Sequence, residues 1–247
     1  MTAFDHFFIF FVAIVYPIVA LVSYRRLLAR VANGEKVERT DLYKSTVIGH
    51  WCLFAATVAL WSFSDRTWTD LGLGLRLDGA FFAAAVLTVL GIVALYAQLR
   101  QVKRSDQDAL DGLRARIGDL DILLPRNGNE LGRFYGLSLT AGIVEEVVWR
   151  GFVIWYLALF MSVWAAAAIS AIAFGLAHAY QGVRNLPQIT LVGAAFSLLF
   201  VLSGSVWLPM IFHAAVDMFQ GRLAYEVVNR TNGNRTPTDD APAAASA

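Results

Sequence analysis

Seven apolar stretches, at residues 4–24, 44–63, 78–99, 134–158, 162–180, 187–203 and 206–226, constrain this chain more than any other feature. Several approach the roughly 20 residues that a helix needs to cross the hydrocarbon core of a bilayer. In that core each backbone donor and acceptor must be satisfied internally, which leaves helices as the way for such stretches to cross. The expected fold class is all-α, a polytopic transmembrane helical bundle of seven spans. An eighth arises if the stretch 134–160 is broken near Gly151. Only 16% of the 247 residues are charged, against about 25% in soluble domains. That composition excludes a soluble globular enzyme, and with a net charge of +1 no nucleic-acid partner is expected. Cys52 is the single cysteine, so no intrachain disulfide forms.

The placement of Lys and Arg sets the orientation, because basic residues gather in cytoplasmic loops. The connection 25–44 carries Arg25, Arg26, Arg30, Lys36, Arg39 and Lys44, and the connection 100–133 is equally basic. Seven spans put both on one side together with Arg184 and the C-terminal arginines. Arg66 and Arg76 are left opposite, with the N-terminus outside and the C-terminus cytoplasmic. The first stretch has no basic residue before it and no small-residue cleavage pattern after it, so it reads as a retained helix. Three regions follow: 1–133, with three spans and a cytoplasmic loop; 134–226, a helical core rich in intramembrane polar residues; and 227–247, a disordered tail. Within 100–133, Ala109, Leu110, Leu113 and Ile117 recur near helical spacing, which fits a helix on the membrane surface or a solvated connector. Pro17 and Pro209 are expected to kink their spans.

The stretch GIVEEVVWRG, 142–151, sets Glu145, Glu146 and Arg150 inside an apolar segment. A charge at the bilayer centre costs roughly 2.5–3.5 kcal/mol on insertion scales, so such groups face a bundle interior or a water-filled cavity. Glu146 and Arg150 are four apart and share a helical face, which makes them a self-satisfying clamp. Glu145 points about 100° away and needs another partner. His178 and His213 are available in later stretches, and Asp217 lies four beyond His213. By helical rise Glu145 and His213 sit about 17 and 20 Å from the cytoplasmic edge, so the two can meet. His178 is shallower and reaches the carboxylate from a cavity open to the cytoplasm. His50 reads as a packed histidine, and Asp65, Asp70 and Asp78 as solvated flanks of a loop.

A carboxylate beside imidazoles in a partly dry cavity suits a general base acting on water, and a second imidazole suits an oxyanion donor. No serine, cysteine or threonine stands where a nucleophile is needed, which favours direct attack by water. Two histidines and a glutamate are also a zinc-ligand set, although the spacing is not HExxH. No cofactor is expected, with zinc as the alternative.

EEVVWR, FGLAH and HAAVD, in that order, resemble the EExxxR, FxxxH and HxxxN or HxxxD motifs of the CAAX prenyl protease type II and bacteriocin-processing family of intramembrane proteases. The resemblance spans 134 to about 225. It implies a glutamate-dependent endopeptidase in which Glu145 is the base, His178 helps to bind the attacking water, and His213 stabilises the oxyanion with Asp217. Glu146, Arg150 and Phe174 would organise the site. An ionised Asp217 accepts but does not donate a proton, so its role is indirect or needs protonation. The substrate implied is a membrane-associated peptide or protein. A non-catalytic scaffold or immunity protein with the same polar set is the alternative, separated from an enzyme by turnover.

Overall fold

A computed structural model describes residues 1–233, and among them every regular element is helical. Helix α1 is Ala3–Ala32 and α2 is Arg39–Ser62. Then come α3 (Gly79–Arg104) and the short α4 (Gln107–Ile117). Helix α5 (Gly128–Glu146) runs through a wide π-helical turn, Val147–Val153, into α6 (Ile154–Ala158). Helices α7 (Val163–Ala177), α8 (Leu186–Ser203) and α9 (Trp207–Gly233) complete the bundle.

Local chemistry fixes these boundaries. Asp106, Asn127 and Ser162 each accept a backbone N–H of the helix they precede, satisfying one of its orphan donors. Gly204 ends α8 in the left-handed conformation, at φ 63°. Pro17 follows another π-helical turn, Phe11–Val15, where the N–H that proline lacks interrupts the regular ladder. Pro209, by contrast, lies in the first turn of α9, where no intrahelical donor is required. The expected kink there is replaced by an ordinary helix start. The helix does not break at Gly151 either, because it absorbs the charged motif by widening.

Among the described residues four segments are long and apolar enough to cross a membrane: Ala3–Ala32, Arg39–Ser62, Gly79–Arg104 and Val183–Ser203. Val163–Ala177 is apolar but shorter. The remaining long helices, α5 with α6 and α9, carry the intramembrane charges and so dilute their own hydropathy. Phe4, Phe7, Phe10, Ile14 and Ile18 of α1, and Phe82, Val86, Val89, Val93 and Tyr96 of α3, are exposed at helical spacing, the outward apolar stripe of an integral membrane protein.

Helix α5 is the hub, packed against α9 on one side and α2 on another. A Cβ at Gly142 would stand 2.8 Å from the Ala214 nitrogen and 2.9 Å from the Met210 carbonyl, so α5 and α9 touch backbone to backbone there. Beyond the motif, a Cβ at Gly151 would stand 2.7 Å from the carbonyl of fully buried Leu71, in the loop joining α2 to α3.

The apolar positions of 100–133 do form a helix, α4, and its apolar face docks on the ends of its neighbours. Leu110 is fully buried against Val102 and Val227, and Arg114 donates to the Thr231 hydroxyl at 2.9 Å. It is therefore strapped to the end of α9, which continues as helix to Gly233, past the expected tail boundary at 227. The rest of that tail lies outside the described residues. Arg66, in the loop between α2 and α3, is engaged by the bundle. It pairs at 2.5 Å with fully buried Asp5 and lies over the rings of Trp61 and Trp155.

Asp78, just before α3, accepts the Phe81 N–H at 3.0 Å and pairs with Arg76 at 2.5 Å. The Phe81 N–H and the Arg76 guanidinium hold its carboxyl below the usual carboxylate value. A value lowered by folding stabilises the fold above the unfolded pKa, about 3.9, and that contribution is lost as pH falls through the folded one. In detergent, the wild-type protein is expected to melt above Asp78→Asn at neutral pH, with the gap closing below about pH 4. A gap independent of pH would contradict the capping assignment.

Candidate active site

The two adjacent glutamates face different surroundings. Glu146 is fully buried, and its Oε1 accepts from Arg150 Nη1 at 2.8 Å and from His213 Nδ1 at 2.7 Å. Arg150, also fully buried, donates through Nη2 to the Gly193 carbonyl at 2.9 Å and lies between the rings of Phe174 and Phe196, 4.5 and 5.2 Å from their centroids. The π-helical turn makes this reach feasible, because Arg150 leaves α5 from the widened segment. The Trp149 carbonyl in the same turn accepts the Ser170 hydroxyl of α7 at 2.8 Å. The clamp read from i,i+4 spacing is thus present and extends to α8 and α9.

Glu145 is partly accessible, with 15% of its side chain exposed. Its Oε1 lies 2.9 Å from His50 Nε2 on α2, and its Oε2 lies 3.8 Å from His178 Nε2, at the C-terminal end of α7. No protein group hydrogen-bonds to Oε2. His178 Nδ1 donates to the Phe174 carbonyl at 2.8 Å, which leaves Nε2 directed at Glu145. Helix α7 ends at Ala177, and the following residues form two short 3-10 turns, Ala179–Gln181 and Val183–Asn185. His178 is consequently at the open end of its helix, as its shallow position in the sequence suggests.

His213 does not reach Glu145 as the depth argument expects; its Nδ1 goes to the neighbouring Glu146. Its ring stacks on Phe196 at 4.7 Å, and its Nε2 is 3.7 Å from Asp217 Oδ2. That distance is too long for a hydrogen bond, so Asp217 acts on His213 through charge. Phe174 lies among three of these groups, with its ring 4.5 Å from His178, 6.0 Å from His213 and beneath Arg150. Among the described residues no three His, Cys, Asp or Glu are disposed to hold a metal ion. Of Glu145, His178 and His213, the set that could serve zinc, His213 gives its Nδ1 to Glu146 and keeps Nε2 outside that bond.

The residue that sequence reasoning misses is His50. It belongs to a buried stripe of α2, with Tyr43, Leu53, Thr57 and Trp61, that faces α5. A depth measured from Arg39, where the helix begins, sets His50 about 17 Å inside, level with Glu145. Measured from residue 44 it appears too shallow.

Residues 127–219 match the family model described as Type II CAAX prenyl endopeptidase Rce1-like. No curated protein and no solved structure matches the chain. The matched segment contains EEVVWR, FGLAH and HAAVD and begins well after α2.

Proposed function

We propose that this integral membrane protein, whose residues 127–219 match the type II CAAX prenyl endopeptidase Rce1-like family model, is a glutamate-dependent endopeptidase that hydrolyses a peptide bond of a membrane-associated protein or peptide. The observation that carries this reading is the asymmetry of Glu145. One oxygen is held by His50, and the other, itself buried, faces His178 without a protein hydrogen bond, on a side chain that is partly accessible where that of Glu146 is sealed.

In the proposed reaction Glu145 Oε2 takes a proton from a water molecule that also donates to His178 Nε2. The water oxygen bonds to the peptide carbonyl carbon, and the electron pair of the carbonyl moves onto its oxygen. His213 Nε2 donates to that oxyanion, oriented by the 2.7 Å bond from its Nδ1 to Glu146. Asp217 acts through His213. The proton on Glu145 then passes to the amine nitrogen as the C–N bond breaks, which restores the carboxylate. The distribution of Lys and Arg supports seven spans with the site reached from the cytoplasmic side.

The test is cleavage by purified protein reconstituted in liposomes, using a peptide that ends in a farnesylated CAAX box and its unprenylated counterpart. The expected product is the C-terminal tripeptide, identified by mass spectrometry. No product from either peptide would count against the protease reading and for a binding role of the same polar set.

A further inference from the structure

His50 lies on α2, outside the segment 127–219 that carries the family match, and yet makes the shortest contact to Glu145. It also repeats the arrangement of His178. Each imidazole uses Nδ1 on the carbonyl four residues earlier, Thr46 for His50 at 2.9 Å and Phe174 for His178 at 2.8 Å. A carbonyl only accepts, so Nδ1 carries hydrogen in both rings and Nε2 is the atom presented to Glu145. Contact between Nε2 and a carboxylate oxygen at 2.9 Å requires a proton between them.

We propose that His50 is a positioning residue for the hydrolytic reaction: it anchors Glu145 Oε1 through a shared proton, so that Oε2, opposite His178, is the oxygen left to take a proton from water. The inference rests on the protease reading for its catalytic meaning, but the pairing itself does not. A helix-joining histidine would need no more than a polar partner across the interface. His50 instead holds one half of a carboxylate whose other half is directed at a second histidine. It fixes the rotation of that carboxylate from a separate helix, which α5 alone does not do. Among the described residues, the charges and titratable groups of His178, His213, Asp217, Arg150, Tyr16 and Tyr180 also bear electrostatically on Glu145.

The experiment compares wild type, His50→Ala and His50→Gln, whose amide nitrogen can occupy the place of Nε2. With the farnesylated CAAX peptide, His50→Ala is expected to lose about 10- to 100-fold in kcat with KM little changed, and His50→Gln to recover much of that loss. The second readout needs no turnover. Dicyclohexylcarbodiimide reacts with protonated carboxyls, and mass spectrometry of the peptide containing Glu145, with Glu145→Gln as background, gives the labelling rate. Without His50 the carboxyl is expected to label about tenfold faster or more at neutral pH. Unchanged labelling overturns the pairing. An unchanged kcat, or equal loss in both variants together with a lowered melting temperature, overturns the positioning role. If wild type cleaves neither prenylated nor unprenylated peptide, the protease reading fails and the labelling rates alone decide whether His50 and Glu145 share the proton.

Discussion

Glu145→Gln is expected to lower kcat on the farnesylated CAAX peptide by about 10³-fold or more while the protein melts within a few degrees of wild type. Glutamine keeps the size and one acceptor of glutamate but does not take a proton from water, and a general base contributes roughly 10²–10⁴-fold. The substitution strands no buried partner, because Oε2 has no hydrogen bond to lose and Gln Oε1 still accepts from a protonated His50 Nε2. The neighbouring Glu146, Arg150 and His213 keep their bonds. Steady-state cleavage and intrinsic-fluorescence melting in detergent measure the two quantities. A variant retaining more than about a tenth of wild-type kcat would remove Glu145 from the role of base.

Arg150→Ala has the opposite signature, a loss of the fold itself. Glu146 and Arg150 are both fully buried, so truncating the arginine leaves a carboxylate in a dry interior with His213 as its remaining hydrogen-bond partner. Breaking a buried pair from one side costs about 3–5 kcal/mol. It also removes the guanidinium from between Phe174 and Phe196 and frees the Gly193 carbonyl that ties α5 to α8. Arg150→Lys keeps the charge but not the fork that serves Glu146 and Gly193 together, and is expected to fall between the two. Melting temperature and folded yield in detergent are the readouts. Near-wild-type stability of Arg150→Ala would show that the pair is not the clamp described.

These contrasting outcomes follow from adjacent positions that the sequence already separates. Glu146 and Arg150 are legible as a pair because i,i+4 spacing places them on one helical face, and Glu145 is legible as the residue that spacing leaves over. The apolar stretches likewise locate the helices, although polar turns extend several of them well beyond the apolar part, as at Ala3–Ala32 and Trp207–Gly233. What spacing along one helix does not encode is a partner on another. The bonds from His213 to Glu146, from His50 to Glu145 and from Arg66 to Asp5 join residues 67, 95 and 61 apart. His213 is paired with Asp217 in the sequence because four residues separate them, whereas the shorter contact of its ring crosses to α5. The π-helical turn is equally hidden, since one widened turn leaves no period in the apolar pattern. Among the described residues hydropathy finds four long spans, because Val163–Ala177 is short and the polar side chains of α5 and α9 lower their apolar mean.

The close backbone approaches at Gly142 and Gly151 give this arrangement its mechanical basis. A turn of α5 by the angle between neighbouring residues, about 100°, would send Glu145 into the sealed interior and bring Glu146 to the partly accessible position. The two glutamates would simply exchange trades. Gly142 lets α9 bear directly on the helix before the pair, and Gly151 lets the loop carbonyl of Leu71 bear on it after the pair. Like two keys cut into one shaft, they hold its angular setting, so that chemically identical side chains one position apart keep different work.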